Sequence, residues 1–196
     1  MSYQVSENVK NKIAALVADE KVKKALDFIK ADRDAILEKQ CELTLIPAPT
    51  HHEEEKAKRF VEMMQEEGLE AYVDEYGNAV AIRKGTGGGK NVLVEGHLDT
   101  VFPLDTKLEI IREGNYIKCP GIVDDTRGLA AILSALRGMN AAGIETKGDI
   151  HIWRHKESAN VNMCNHLHTY NELEIIVSGA GTNEYTNFKT PLKIGS

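Results

Sequence analysis

From Asn8 to Leu45 apolar residues recur at helical spacing. Val9, Ile13, Leu16 and Val17 form the first group, Val22, Leu26 and Ile29 the second, and Ile36, Leu37 and Leu43 the third. Each group makes one stripe down a helix, so the pattern predicts successive amphipathic helices that bury those stripes. Pro47-Ala-Pro-Thr50 ends the run, because proline cannot continue a helix and restricts the residue before it. Thr50 or a neighbour is placed to cap a further helix. Its first turn carries Glu53, Glu54 and Glu55, where the helix dipole favours anions. Phe60, Val61 and Met64 mark its buried face, and Gly68 ends it. His51 and His52 fall in the connecting loop.

Beyond Gly68 the period shortens to two. Leu69, Ala71 and Val73 alternate with polar residues, and Ala79-Val-Ala-Ile82 follows a turn at Gly77-Asn78, which predicts two strands. Gly85-Thr-Gly-Gly-Gly-Lys90 has the glycines of a phosphate loop but lacks its Lys-Ser/Thr ending, and no helix follows. It reads as a flexible connection into Asn91-Val-Leu-Val-Glu-Gly-His-Leu-Asp-Thr100, which begins as a buried strand. Leu108 to Ile111 and Tyr116 to Lys118 suggest a hairpin about Glu113-Gly-Asn115. A helix through Leu129, Ile132, Leu133 and Leu136 ends between Gly138 and Gly143. Gly148-Asp-Ile-His-Ile-Trp153 reads as another strand. Strand, helix, strand in this order predicts a layered α/β fold.

The candidate chemistry sits after two of these segments. His97 and Asp99 follow the break at Gly96, at the carboxyl end of a predicted strand, where open α/β sheets gather their ligands. A metal-binding histidine commonly gives its second ring nitrogen to a carboxylate, and His-x-Asp can supply both members of that pair. Asp124 and Asp125 precede the next helix, where they are either a cap or part of a site.

The formal net charge of −6 over 196 residues argues against nucleic acid and anionic membranes as main partners. No apolar segment of signal or membrane length stands at the start. Cys41, Cys119 and Cys164 are odd in number and show no paired spacing, which points to a reduced, cytoplasmic setting.

Together, Gly96-His-Leu-Asp-Thr-Val-Phe102 and Pro120-Gly-Ile-Val-Asp-Asp-Thr-Arg-Gly128 resemble the zinc-dependent exopeptidase and deacylase family. That family includes peptidase T, carboxypeptidase G and acetylornithine deacetylase. Ile46-Pro-Ala-Pro-Thr50 before an acidic helix start is similar to its N-terminal region, and the Asp-Asp pair and Val-Phe lean toward the peptidase T-like branch. The resemblance covers roughly residues 10 to 150. It implies a layered metallopeptidase catalytic domain with a mixed sheet and helices on both faces. It also implies two zinc ions, with cobalt or manganese as possible substitutes, and hydrolysis of small peptides or N-acyl amino acids. Residue by residue, it implies that His97 binds one metal, that Asp99 orients His97 in the catalytic site, and that Asp124 bridges both ions. The Asp124–Asp125 peptide is expected to be cis, with Asp125 shaping the loop and capping the helix. Full-length relatives are expected to form homodimers.

The resemblance stops near Ile150. The family continues with an adjacent Glu-Glu pair, general base and metal ligand, then further ligands and an inserted domain. This chain reads His151-Ile-Trp-Arg-His-Lys-Glu-Ser158, with Glu157 as a lone glutamate and as the one substitute base on offer. Residues 1–150 are therefore expected to form a partial, truncated catalytic domain, with 151–196 as an atypical tail such as a frameshift near codon 150 would produce. Within the tail, Leu173-Glu-Ile-Ile-Val177 reads as a strand, and Cys164-Asn-His-Leu-His168 matches no common zinc-finger spacing. Two functional readings stay open: a two-metal hydrolase, or a non-catalytic chain that keeps half of the site as structure or as a binding surface.

Overall fold

A computed structural model describes residues 6–155 and the strand at 173–177. The N-terminal pattern folds into α1 (Glu7–Ala18), α2 (Glu20–Ala31) and α3 (Arg33–Thr44). Asp19 closes α1 and caps α2, its carboxylate accepting from the backbone N–H groups of Lys21 and Val22. This satisfies donors that a helix start leaves open.

The periodicity placed the helices correctly but overstated their burial. Val9, Ile13, Leu16 and Val17 of α1 are 43–60% exposed. A stripe specifies which side of a helix can be buried; it does not supply the surface that buries it. In α3 the prediction holds better, with Ile36 and Leu43 in the core and Leu37 half-buried.

Helix α4 (Glu54–Glu66) buries Ala57, Phe60, Val61, Met63 and Met64, and α5 (Thr126–Ala142) buries Leu129, Ala130, Ile132, Leu133 and Leu136. These pack with Ile36 and Leu43 over one face of a mixed sheet, where Ala79, Ala81 and Ile152 complete a single core. Helix α2 lies against α5, and Gly138 is the point of closest approach: a Cβ there would press on Ile29 and on the Ala25 carbonyl.

The sheet runs β1 (Glu70–Val73), β2 (Ala79–Arg83), β6 (Ile150–His155), β3 (Asn91–His97), β7 (Leu173–Val177) in spatial order. β1, β2 and β6 pair antiparallel, while β3 lies parallel to both β6 and β7. On the face away from the helical core, Val80, Leu93, Glu95, His151 and Trp153 are also buried. A separate hairpin, β4 (Ile111–Glu113) with β5 (Tyr116–Lys118), starts three residues later than the sequence suggested.

The glycine-rich stretch before β3 is tied down. Thr86 N–H donates to the Thr146 carbonyl and Gly87 N–H to that of Lys147, both at 2.8 Å. Side chains at Gly85, Gly89 or Gly148 would collide with the crossing backbone, Gly148 with the Lys90 carbonyl. Glycine is needed here for close approach of two chain segments, with no phosphate role implied. Asp149 N–H donates to the Asn91 side chain and Val92 N–H to the Asp149 carbonyl, each at 2.9 Å. The entry points of β3 and β6 are thus fixed against each other.

Candidate metal half-site

The parallel strands β3 and β6 end at the same edge of the sheet, and the segment before α5 crosses that edge. His97, the last residue of β3, reaches both predicted partners. Its Nδ1 lies 2.9 Å from Asp99 Oδ1 and 3.0 Å from the Asp99 carbonyl, and its Nε2 lies 3.0 Å from Asp124 Oδ1. In the imidazolium form both ring nitrogens donate. Burial alone would push the imidazole down, but its contact with Asp99, the charge of Asp125 and the hydrogen bond to Asp124 outweigh it and lift His97 to about 9. The Asp124–Asp125 peptide is cis, as the resemblance implied.

Asp99 is buried, and its second oxygen accepts from the Thr50 hydroxyl at 2.8 Å. Thr50 or a neighbour was expected to cap α4. The cap position is Glu53, which makes no side-chain cap bond, and Thr50 turns toward the strand end. The chain from Ala48 to Thr50 runs beside β3's continuation, held by Thr100 N–H donating to the Ala48 carbonyl at 2.7 Å. Glu53, read as ordinary helix-start chemistry, is fully buried and accepts from His51 N–H at 2.6 Å, steadying His51 at a φ of 75°.

Asp125 takes the expected N-cap position of α5, its carbonyl accepting from Leu129 N–H. It makes no side-chain cap bond to α5. Its carboxylate lies over Gly128, which has no Cβ to obstruct it, and it accepts from Arg154 Nη1 at 3.1 Å and from the backbone N–H of His97. Arg154 is fully buried and also donates through Nη2 to the Gly128 carbonyl at 3.1 Å. Burial pushes Asp125 up, against the pull of Arg154 and His97. Lys56, on the first turn of α4, is a second buried cation; burial lowers it to about 8 despite the nearby charges of Asp99 and Asp125.

Sequence reasoning missed Thr50, Lys56 and Arg154. Two of them carried a signal. Lys56 falls on the face of α4 that Phe60 and Met64 bury, and Arg154 continues the inward alternation of Ile150 and Ile152.

The donor chemistry can be tested against a metal directly. An imidazole nitrogen and a carboxylate oxygen are both donors that zinc accepts. A ring whose far nitrogen is held by a second carboxylate is the usual setting of a metal-binding histidine. The Asp124 side chain is 58% exposed, so the space between the two donors opens to solvent. Among the described residues no three His, Cys, Asp or Glu side chains converge on one point. The fit is therefore to a two-donor half-site. Glu157 and the Cys164, His166 and His168 group lie outside the described residues.

The sequence profile of Peptidase family M20/M25/M40 matches residues 93–153, the span from β3 to β6. A Pyrococcus abyssi protein named for LysW-lysine/LysW-ornithine hydrolysis is 37% identical over 100 residues, which is 51% of this chain and 28% of that protein. The chain thus spans little more than a quarter of that relative's length. Among solved structures, the dipeptidase Dug1p from Saccharomyces cerevisiae superposes with a TM-score of 0.68 at 15% identity, covering 80% of this chain and 40% of that one. Aminopeptidase PepT from Bacillus cereus gives 0.54 at 23% identity, covering 61% and 35%. At these identities the structures speak for the fold alone: the chain shares the mixed α/β fold of part of these two proteins.

Proposed function

Taking the match of residues 93–153 to peptidase family M20/M25/M40 as premise, we propose that this chain carries the first half of a metal-dependent amide hydrolase site. The observation that supports it most is the grip on His97, with one ring nitrogen on Asp99 and the other facing Asp124. Asp99 fixes the ring through Nδ1 and leaves Nε2 for an ion; Thr50 in turn fixes Asp99. Asp124 offers its carboxylate across the same gap. A divalent ion bound there, zinc by preference of the donor set, would polarise a water or an amide carbonyl. The positive charge that His97 carries in the metal-free protein must leave as a proton before Nε2 can ligate.

Small peptides and N-acyl amino acids are the proposed substrate class. The Pyrococcus relative is named for hydrolysis of LysW-lysine and LysW-ornithine, and PepT is named an aminopeptidase. Assignment to the peptidase T-like branch rests on the Asp124–Asp125 pair and on Val101-Phe102, whereas the Pyrococcus relative is named for LysW-lysine/LysW-ornithine hydrolysis. A reducing, cytoplasmic setting suits the free thiols of Cys41 and Cys119. We further propose residues 1–150 as the unit that corresponds to the family's catalytic domain.

A second reading is favoured by the two-donor count: a non-catalytic chain in which the half-site is structural. Metal analysis after exhaustive dialysis separates the two. Zinc retained near one equivalent, lost in His97→Ala and accompanied by hydrolysis of dipeptides or N-acetyl amino acids, supports the hydrolase. A protein that keeps no metal and cleaves neither substrate supports the structural reading.

A further inference from the structure

Arg154 lies where the chain leaves the family pattern, one residue before the end of β6. It binds Asp125, the residue next to Asp124. Nη1 reaches Asp125 Oδ2 and Nη2 the Gly128 carbonyl, each at 3.1 Å, with the whole side chain withdrawn from solvent. Asp125 accepts from the His97 backbone N–H and is joined to Asp124 by one peptide bond. A continuous chain of polar contacts therefore runs from the end of β6, through the segment that opens α5, to the end of β3.

From this geometry we infer that Arg154 is a positioning residue for the half-site: by clamping Asp125 and the first turn of α5, it sets Asp124 opposite His97. A guanidinium suits the task because its rigid planar fork presents donors to a carboxylate and a carbonyl in a fixed geometry, which a flexible ammonium holds less firmly. The charges agree. Asp99 and Asp125 are buried beside two buried cations, Lys56 and Arg154, with the buried Glu95 also acting on Arg154, so most of this charge is paired within the chain itself. Asp124, exposed and outside this balance, remains available to a ligand. The half-site then keeps its shape before any ion arrives. This inference rests on the metal reading above for its consequence, but on contacts within the chain for its substance.

The test uses the full chain with Arg154→Met, Arg154→Lys, Asp125→Asn and the Arg154→Met/Asp125→Asn double variant. Two quantities are read: affinity for cobalt(II) by titration, and the imidazole resonances of His97 in metal-free protein by NMR, assigned from their absence in His97→Gln. Loss of a residue that orients metal ligands costs about tenfold or more in affinity. Arg154→Met and Asp125→Asn are each expected to weaken cobalt(II) by about that factor and to move the His97 resonances toward those of an exposed histidine. Arg154→Lys should recover part of both, and the double variant should be no weaker than the worse single. Unchanged cobalt(II) affinity and unchanged His97 resonances in Arg154→Met and Asp125→Asn, or single effects that simply add, overturn the inference. If Arg154→Met does not fold, Asp125→Asn decides, since it keeps the shape and removes the charge; parent-like behaviour there overturns it. If the parent binds no cobalt(II), the metal reading fails, and Arg154 is judged on the His97 resonances alone.

Discussion

Helix α5 meets an arginine-centred ion cluster at each end, and the two differ in surroundings more than in chemistry. Near its C-terminal end Arg137 holds Asp32 through two bonds of 2.6 and 2.8 Å and Glu67 through one of 2.8 Å. Near its N-terminal end Arg154 holds Asp125 and a backbone carbonyl. The side chains of the Arg137 cluster are 23, 11 and 12% exposed, so water can make up its unequal count of one cation and two anions. Those of Arg154 and Asp125 are 0 and 3% exposed, and protein groups must do all the balancing. The outer cluster ties α2, α4 and α5 together. The inner one joins three chain segments at the strand ends where His97 stands. A partly wet cluster tolerates imperfect pairing and serves as a fastening. A dry one depends on the protein groups around it, and that dependence is what ties it to neighbouring geometry.

The comparison breaks most readily at Asp125. Asp125→Ala strands the buried Arg154 guanidinium and is expected to cost about 3–5 kcal/mol, because an uncompensated interior charge remains. Urea unfolding measures it; a loss below that of the outer cluster would reverse the ranking. Arg137→Ala is expected to cost about 2 kcal/mol, since its orphaned carboxylates regain water. It should leave cobalt(II) affinity at the parent value, which isothermal titration can check.

Proton linkage sharpens the contrast further. His97 in the folded chain titrates near 9, above its ordinary 6.5, so its contribution to stability is full below pH 6.5 and drains as pH rises toward 9. Lys56 acts in the opposite sense. Its folded value near 8 lies below 10.5, so stability recovers as pH climbs between those values. The clean window is pH 6.5 to 8, where metal-free protein should lose at most about 2 kcal/mol before solvent screening reduces it. Urea midpoints that stay level across that window, or that fall equally in His97→Gln, would contradict the assignment. The smallest effect is expected from Thr50→Val, about 1 kcal/mol for the hydrogen bond to Asp99, with a modest weakening of cobalt(II) binding.

The elements were legible where side chains repeat with a period. The helical stripes of α3, α4 and α5 and the apolar runs of β2, β3 and β6 name their own secondary structure, and His97, Asp99 and Asp124, candidates from two loop motifs, lie within hydrogen-bond reach of one another. What escaped the sequence was contact without period. Thr50 could reach a helix start or the Asp99 carboxylate, and only the path of the 48–50 segment beside Thr100 decides between them. The Asp125 side chain could cap α5 or pair with a cation, and the choice depends on Arg154 lying on the inward side of β6. The stripe of α1 failed for the opposite reason: its period was clear, and burial depends on a neighbour that the period does not specify.

The glycine crossing at the other edge of the sheet bears on all of this. Where the 85–90 segment passes over Gly148, backbone meets backbone, and the starts of β3 and β6 are locked to one another. Each strand then serves as a ruler with a common zero. Residues advance by about 3.3 Å apiece, so His97 and Arg154 are delivered to the far edge by counting along rigid extended chain. An error of one residue at the zero would displace every mark and turn each side chain to the opposite face. The tolerance of the chemistry at one end of the sheet is thus set by the fit of hydrogen-sized side chains at the other, roughly 20 Å away.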